Sequence, residues 1–265
     1  MKKTFLYSLL FIVFSLKAFS QDFSLFEKNV FVHNTDTLPY RILLPLNFDS
    51  NTRYPMVLFL HGAGERGNDN EKQLVHGATM FLEDSIRNKY PAIVVFPQCA
   101  ENSFWANISM SMDSITKKRT LIYKENGAPT KAMELLIGLY QDLSNKYTPD
   151  KNQLYVGGLS MGGMGTFEIA RRLPDNFAAA FAICGGANTA TAPQLKSTAW
   201  WIFHGMKDNV VNPQNSIDMA KALKDAGAEV RLTLYPEANH NSWDDAFKEP
   251  TFFSWLFEHQ KAKME

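Results

Sequence analysis

The sequence predicts an α/β fold with a mainly parallel central sheet and helices on both of its faces. Short apolar runs alternate along the chain with segments of helical periodicity, beginning after residue 22. Most of these runs are apolar throughout, which is typical of central strands that are covered on both faces. Alternation of strands and helices is the pattern that builds such a sheet.

The predicted strands are the apolar runs themselves. They cover residues 40–44, 56–60, 93–96, 154–157, 179–183, 199–203 and 230–235. The last run differs from the others because Val230, Leu232 and Leu234 alternate with more polar residues. Alternation suits a strand nearer the edge of the sheet.

Helices are predicted between the strands. They cover residues 131–147, 161 to about 173, 213 to 227 and 251 to about 261. In the first helix, apolar residues recur at spacings of three and four and form one face, namely Met133, Leu136, Tyr140, Leu143 and Tyr147. The second helix ends before Pro174, because proline disfavours helical backbone in the residue before it. Pro213 and Gly227 suit the start and the end of the third.

A single domain is predicted for residues 21–265. The 45% of hydrophobic residues suffice for a sizeable core, and no repeat or low-complexity linker divides the chain. The 27 basic residues balance the 27 acidic ones, so the net charge does not suggest nucleic-acid binding. Residues 100–129 have mixed polarity and are predicted to form a lid-like insertion over a binding cleft.

The first twenty residues have the pattern of a secretory signal peptide. Lys2 and Lys3 precede an apolar stretch at 5–16, and Ala18 and Ser20 are small residues before Gln21. We therefore expect cleavage after Ser20 and a secreted or periplasmic protein, with no stable membrane insertion afterwards. The alternative is an uncleaved anchor, although about twelve apolar residues fall short of the roughly 20 that span a bilayer.

The two cysteines, Cys99 and Cys184, each follow an apolar run and are predicted to be buried free thiols. Export would permit a disulfide between them, so that alternative stays open. No cluster of His, Cys and Asp has the spacing of metal ligands. We expect neither a metal nor another cofactor.

The segment Gly158-Leu159-Ser160-Met161-Gly162 predicts a nucleophilic serine. It follows a predicted strand and precedes a predicted helix, which is the context in which G-x-S-x-G forms a nucleophile elbow. The tight turn requires small residues at 158 and 162, because a side chain there would collide with neighbouring backbone. Ser160 is therefore the predicted nucleophile.

A serine nucleophile needs a base, and the base needs an acid that orients it. In this fold the chain order is serine, acid, histidine. His240 lies in the loop after the last predicted strand and is the predicted base. Asp208 follows the strand at 199–203 and is the predicted acid, with Glu237 as the alternative.

The segment His61-Gly62-Ala63-Gly64 follows the strand at 56–60 and is the predicted oxyanion loop. Backbone N–H groups of Gly62 or Ala63, together with that of Met161, would stabilise the tetrahedral intermediate. The competing interpretation is a phosphate-binding loop, but the order G-x-x-x-x-G-K-[ST] is absent.

These motifs carry a resemblance to a known group. The segments are His61 to Gly67 with Asp69-Asn70, the elbow with Gly163, His204-Gly205 with Asp208, and His240 to Asp244. They resemble markers of bacterial α/β-hydrolases described as esterases or predicted peptidases, which are related to feruloyl and acetylxylan esterases, polyhydroxybutyrate depolymerases and the prolyl oligopeptidase catalytic domain. The resemblance implies the α/β-hydrolase fold and the triad Ser160, Asp208 and His240. The sequence has no propeller domain, which weakens the peptidase interpretation.

Three further residues are candidate substrate contacts. Trp105 in the insertion and Trp243 after the base could stack on a sugar or an aromatic acyl group, and ordinary packing is the alternative for each. Arg66 could pair with an acidic substrate group, or with Glu65 or Asp69.

The sequence therefore predicts a secreted serine hydrolase of the carboxylesterase type that works through an acyl-enzyme. The resemblance and the predicted export favour acyl or feruloyl esters of polysaccharides as substrates, with no nucleic-acid partner. Two alternatives stay open, namely a serine peptidase acting on short peptides and a non-catalytic binding protein that keeps the hydrolase fold.

Overall fold

The structure, a computed structural model, describes residues 23–112, 114–115 and 119–261, without the side chain of Arg119. The predicted signal peptide, residues 1–20, lies outside the described residues. No helix within the described part of the chain has the length and apolar character needed to cross a membrane.

In the described residues, ten strands form one large sheet and one hairpin. They are β1 (Glu27–His33), β2 (Asp36–Leu43), β3 (Met56–Leu60), β4 (Ile93–Pro97), β5 (Ile108–Met112), β6 (Arg119–Tyr123), β7 (Leu154–Leu159), β8 (Ala179–Ile183), β9 (Ala199–Gly205) and β10 (Val230–Tyr235). The large sheet has the order β1-β2-β4-β3-β7-β8-β9-β10. Strands β4 to β10 in this order are parallel, whereas β1 and β2 are antiparallel to their neighbours.

The sheet confirms the predicted fold class and differs from the prediction at one edge. Strand β10 lies at an edge, as its alternating pattern predicts. The opposite edge is β1, which was not predicted, because its residues are mostly exposed and form no continuous apolar run. Its backbone pairs with β2 along its whole length, so tertiary pairing rather than burial makes it a strand.

Seven α-helices accompany the sheet within the part of the chain that the structure describes. They are α1 (Ala78–Leu82), α2 (Asp84–Lys89), α3 (Lys131–Tyr147), α4 (Met161–Arg172), α5 (Gln214–Asp225), α6 (Trp243–Ala246) and α7 (Phe252–Glu258). The predicted bounds of α3 are those observed. Helix α7 is shorter than predicted, because the backbone becomes extended at His259 and the N–H of Lys261 donates to Asn152 O.

The helices cover both faces of the sheet, as predicted. Residues of β3 alternate between the two resulting cores, with Leu58 on one side and Phe59 on the other. The first core includes side chains from α3, α4 and α5, and the second includes side chains from α1 and α7. Burial of this apolar surface is the main force that holds the layers together.

The hairpin of β5 and β6 forms within the segment that was predicted to be a lid-like insertion. At its base, Ile108, Leu121 and Tyr123 pack against Met164 of α4 and Val211. Further out, apolar side chains of β5 are exposed. The hairpin therefore stands beside the loop that follows β9.

The carboxyl ends of the parallel strands β3, β7, β8, β9 and β10 meet at one edge of the sheet. The segments that follow these strands contain the oxyanion loop, Ser160, Asp208 and His240. Ligands of open α/β sheets bind outside this edge. The topology thus brings residues from distant parts of the sequence to one place.

Candidate active site

Ser160 occupies the turn between β7 and α4. Its backbone has φ 53° and ψ −117°, a conformation that is rare and costly for a residue with a side chain. The N–H of Ser160 donates to Ile183 O of the neighbouring strand β8 at 2.8 Å, which holds the turn in place. Such strain, held by its surroundings, is typical of a functional position.

The glycines on either side of Ser160 are required by close backbone contacts. A Cβ atom on Gly158 would lie 2.4 Å from Leu60 O, and one on Gly162 would lie 1.8 Å from the same oxygen. Both distances are far below van der Waals contact. The predicted reason for the motif, a collision with neighbouring backbone, is therefore confirmed.

The structure brings Ser160, His240 and Asp208 together in one hydrogen-bonded chain. The Nδ1 atom of His240 lies 2.7 Å from Asp208 Oδ2, and its Nε2 atom lies 2.9 Å from Ser160 Oγ. Because a carboxylate only accepts, Nδ1–H donates to Asp208 and Nε2 is left free to accept the hydroxyl proton of Ser160. This is the geometry of a serine, a base and an orienting acid.

Asp208 is held by four hydrogen bonds. Its Oδ2 atom accepts from His240 and from His204 Nε2, the latter at 3.1 Å, and its Oδ1 atom accepts from the N–H groups of Val210 and Val211. Burial alone raises the pKa of this carboxyl group, but the four donors hold its pKa well below its ordinary value. Asp208 is therefore ionised at neutral pH.

The alternative acid, Glu237, does not reach the site. Its side chain is 84% exposed and pairs with Lys207. The side chain of Asp208, by contrast, has no exposed surface. The structure thus places only the preferred one of the two candidates beside His240.

The oxyanion loop passes next to Ser160. A Cβ atom on Gly62 would lie 3.7 Å from Ser160 Cβ, and the loop continues into a short 3-10 turn at Ala63–Glu65. The ring of His61 accepts from Cys99 N–H at Nε2, so its Nδ1–H donates to Gly62 O. Burial lowers the pKa of His61 to about 4, which keeps the ring neutral. This bond fixes the plane of the peptide that joins Gly62 to Ala63, and hence the direction of the Ala63 N–H group.

A family model agrees with this geometry. Residues 49–253, most of the chain, match the model of the Phospholipase/Carboxylesterase family. The chain belongs to this family. Its predicted classification as a serine hydrolase with the α/β-hydrolase fold is thereby confirmed, together with the resemblance on which it partly rested. None of the curated proteins matches the sequence.

Solved structures similar to this family member include esterases and peptidases. A thermostable esterase has a TM-score of 0.79 and 33% identity over 90% of this chain, which spans 64% of that protein. A ferulic acid esterase from Anaeromyces mucronatus has a TM-score of 0.60 and 15% identity, with 87% of this chain and 91% of that one covered. An acylaminoacyl peptidase from Pyrococcus horikoshii has a TM-score of 0.61 and 17% identity, with 91% of this chain and 42% of that one covered. At such low identity, the last two show the shared fold alone.

The prediction that Trp105 contacts substrate is wrong. Its side chain is fully buried beneath the site, with 0% exposure, and its Nε1–H donates to His61 O at 3.2 Å. The ring packs where Gly165 of α4 leaves space, since a Cβ on that glycine would lie 2.4 Å from Trp105 Cβ. Trp105 supports the oxyanion loop from below and has no surface to offer a substrate.

Trp243 lies at the site and is half-buried. Its ring meets the ring of His240 edge-on, with centroids 5.4 Å apart, and lies 5.1 Å from the ring of His76. His76 Nε2 in turn lies 3.8 Å from Glu65 Oε1. We call Glu65, His76 and Trp243 the Trp243 wall.

Arg66 pairs with neither Glu65 nor Asp69. Its guanidinium group donates to the carbonyl oxygens of Ala63, Glu101 and Ser103 and lies 4.7 Å from the centre of the Phe104 ring. These contacts join the oxyanion loop to the segment after β4. Arg66 thus has a structural role and does not serve as a partner for an acidic substrate group.

Sequence reasoning missed the places of His204, His76 and Glu65 at the site. His204 precedes both candidate acids in the chain, so the order of serine, acid and histidine does not select it, yet its ring touches Asp208. His204 lies in β9 and Asp208 in the loop after it, so the contact depends on the turn of that loop. His76 lies in a segment with no recognised motif, so only the fold brings it to the site.

Cys184 also lies beside the triad. Its Sγ atom and the ligand atoms of Asp208 and His240 are all within 4.8 Å of one another. Burial and the nearby Asp208 carboxylate raise the pKa of the thiol, so it is neutral at physiological pH. Because Asp208 and His240 are bonded to each other, we assign no metal to this grouping. Cys99 and Cys184 are both buried and free, as predicted.

Proposed function

We propose that this protein is a secreted carboxylic-ester hydrolase that works through an acyl-enzyme on acyl or feruloyl esters of polysaccharides. The hydrogen-bonded chain Ser160–His240–Asp208 carries the proposal. Membership of the Phospholipase/Carboxylesterase family supports the esterase class. The finer substrate assignment rests on the Trp243 wall and on the predicted export.

The reaction proceeds in two acyl-transfer steps. His240 Nε2 takes the proton of Ser160 Oγ as this oxygen bonds to the ester carbonyl carbon. The N–H groups of Met161 and of Gly62 or Ala63 stabilise the oxyanion that forms. His240 then gives its proton to the departing alcohol. Water attacks the acyl-enzyme by the same route and restores Ser160.

Asp208 keeps His240 in the productive tautomer throughout. Its carboxylate accepts from Nδ1–H and stabilises the positive charge that the ring acquires when it takes the serine proton. Because the pKa of Asp208 is held low, the carboxylate does not compete for that proton.

The Trp243 wall supports a sugar as the alcohol part of the ester. An indole face stacks on the apolar face of a sugar ring, while a carboxylate and an imidazole exchange hydrogen bonds with its hydroxyl groups. Trp243 touches His240, the group that protonates the departing alcohol. The wall therefore lies where the alcohol leaves. A similar solved structure is a ferulic acid esterase in complex with ferulic acid, which favours an aromatic acyl group.

Substrate assays on matched variants test the ester hydrolase. The substrates are methyl ferulate, acetylated xylan, a short-chain p-nitrophenyl ester and a proline-containing chromogenic peptide. We expect ester turnover that Ser160→Ala abolishes and that Ser109→Ala, a change at an exposed serine of β5, leaves intact. Turnover that persists in Ser160→Ala contradicts the mechanism. Peptide cleavage well above ester cleavage supports the peptidase alternative, and inert substrates support the binding-protein alternative.

The sugar subsite has its own test. Methyl ferulate and a feruloylated arabinoside share the acyl group and differ in the alcohol. We expect Trp243→Ala to raise KM about fivefold for the arabinoside and to leave methyl ferulate nearly unchanged, since one lost ring contact is worth about 1 kcal/mol. Trp243→Phe, which keeps a ring, should retain most of the difference. Equal losses on both substrates would refute the subsite.

Export is tested by the N-terminus of the protein made in a bacterial host. A chain recovered from the periplasm or the medium that begins at Gln21 supports the proposal. A chain that keeps Met1 and sediments with membranes supports the uncleaved anchor instead.

A further inference from the structure

Two neighbouring cavities lie at the edge of the sheet opposite the triad. They are lined by segments that precede the parallel strands β3, β4, β7 and β8. The first has a volume of about 550 Å³ and the second of about 960 Å³, and ligand sites in proteins typically measure roughly 300–1,000 Å³. Arg53 lines both cavities, so they adjoin. We call them together the amino-edge groove.

The second cavity has an excess of positive charge. It is lined by the cations Arg53, Lys151 and Lys261 and by one carboxylate, that of Asp175. None of the three cations forms an ion pair with a described residue, since the ion pairs of lysine and arginine involve other side chains. Unpaired cations gathered in a concave surface attract an anion.

Lys261 reaches the groove because the chain turns back after α7. Its N–H group donates to Asn152 O at 3.0 Å, just before β7. Burial lowers the pKa of its ammonium group below the ordinary value, and the nearby Asp175 carboxylate acts in the opposite direction. The charge of Lys261 is thus partly withdrawn from water without an ion pair, and an anion in the groove would stabilise it.

The neutral side chains of the second cavity suit a ligand with hydroxyl groups. Gln141 and Asn145 lie four residues apart on α3, so their amides share one face of the helix. Both are exposed. Asn176 uses its Oδ1 atom to accept from Tyr140 Oη–H at 3.1 Å, which leaves its NH₂ group towards the cavity side free to donate. Amides both donate and accept hydrogen bonds, as sugar hydroxyl groups do.

The first cavity adds aromatic rings. Tyr90 and Phe257 stack with ring centroids 5.0 Å apart, and Tyr54 lines the same cavity. Lys89 Nζ lies 5.2 Å from the centre of the Tyr90 ring, and Glu258 supplies the carboxylate of this cavity. Aromatic rings pack against the apolar face of a sugar ring.

We propose that the amino-edge groove is a second, non-catalytic binding site for a saccharide chain that carries uronic-acid carboxylates. The cations pair with the carboxylates, the amides bond the hydroxyl groups, and the rings of the first cavity pack on sugar faces. A nucleic acid or an anionic membrane would require a larger excess of cations, whereas the whole chain has a formal net charge of zero.

A groove at this edge would keep the enzyme on a polymer between hydrolytic events, because a second contact raises the effective concentration of the substrate. The choice of a saccharide rests on the proposed function. Binding in the groove itself requires no ester hydrolysis.

Isothermal titration calorimetry on the Ser160→Ala protein tests the groove without turnover. The two ligands are a glucuronoxylan oligosaccharide and a neutral xylo-oligosaccharide of the same length, and neither contains an ester. We expect the acidic ligand to bind about tenfold more tightly, since the neutral chain lacks the carboxylates that the cations attract. Adding Arg53→Gln should weaken binding of the acidic ligand about fivefold, the effect of losing one exposed charged contact. Binding of the neutral ligand should change much less.

Two control variants locate the binding. Lys221→Gln removes a cation from the exposed side of α5, outside the groove, and should leave the affinity unchanged. Trp243→Ala alters the active site and should likewise preserve binding of the acidic ligand.

Equal affinities for the two saccharides, or an Arg53→Gln variant that binds the acidic one undiminished, would overturn the proposal. Binding to phosphatidylglycerol vesicles in place of the oligosaccharide would overturn it too. Charge-dependent saccharide binding by a protein that hydrolyses no ester would support the groove and contradict the proposed function, so the two failures are distinguishable.

Discussion

Three residues from distant parts of the chain meet within hydrogen-bonding distance at the carboxyl edge of the sheet. Asp208 determines what the other two can do, because its carboxylate accepts a hydrogen bond from Nδ1–H of His240 and leaves Nε2 to face Ser160. The same carboxylate is held by His204 and by two backbone amides. Its position is therefore fixed from several sides, and small changes at this residue have large consequences.

At the residue scale, we predict that Asp208→Asn lowers kcat about 10⁴-fold while the protein stays folded. The Asn amide donates to Nδ1, so the proton of His240 moves to Nε2 and the ring no longer accepts from Ser160. Steady-state kinetics together with circular dichroism check this. Asp218→Asn, at an exposed residue of α5, is the control and should leave kcat unchanged. Retention of a tenth of the activity in Asp208→Asn would count against the assigned role.

At the scale of elements, the strand–turn–helix unit of β7 and α4 packs so closely against β3 that a side chain at the contact positions would collide with backbone. Gly162 lies against Leu60 O, and Gly163 lies against Ile183 O of β8. At the other end of α4, Arg172 donates to Gly127 O in the segment before α3. The backbone of the elbow is thus set by its contacts with β3 and β8.

We predict that Gly162→Ala destabilises the protein by about 3 kcal/mol, at the upper end of what an added methyl group costs in a packed interior. The new Cβ would lie 1.8 Å from Leu60 O, which is backbone and cannot rotate away. Gly64→Ala is the matched control, since a Cβ there meets nothing within 4 Å, and it should change stability by less than about 0.5 kcal/mol. Urea unfolding measures both, and equal stabilities of the two variants would contradict the packing argument.

At the scale of the whole molecule, the stability of the fold is linked to pH through groups buried in one protonation state. His61 is one such group, because burial lowers its pKa from 6.5 to about 4. The unfolded chain therefore binds a proton at His61 between these two values, while the folded protein does not. Stability must fall as the pH falls through this window.

We predict that the free energy of unfolding decreases by about 2 kcal/mol between pH 7 and pH 5 through His61, which follows from the shift and the linkage relation. In His61→Gln the decrease should be smaller by that amount, even if the variant is less stable at both pH values. His33→Gln, at an exposed residue of β1, should keep the wild-type slope. Urea titrations at the two pH values measure the slopes, and identical slopes in all three proteins would refute the linkage.

The sequence by itself determined the fold class, the predicted strands and the three members of the candidate triad. Continuous apolar runs, helical periodicity and the glycines around Ser160 are local patterns. Each of them can be recognised in a short segment without knowledge of the rest of the chain. The order of serine, acid and histidine along parallel strands then places these residues at one edge. That part of the site was predictable because residues that follow parallel strands lie at the same edge of the sheet.

The tertiary structure alone decided which side chains face the site and which support it. Trp105 and Arg66 are in the predicted region, but one is buried under His61 and the other is bound to carbonyl oxygens. Strand β1 forms because β2 offers backbone partners, and His204 reaches Asp208 because the loop after β9 turns back. In each case the deciding contact joins backbone or side chains whose relative orientation no local pattern encodes. The sequence therefore determined which strands and loops contain the site residues, whereas packing determined which way their side chains face.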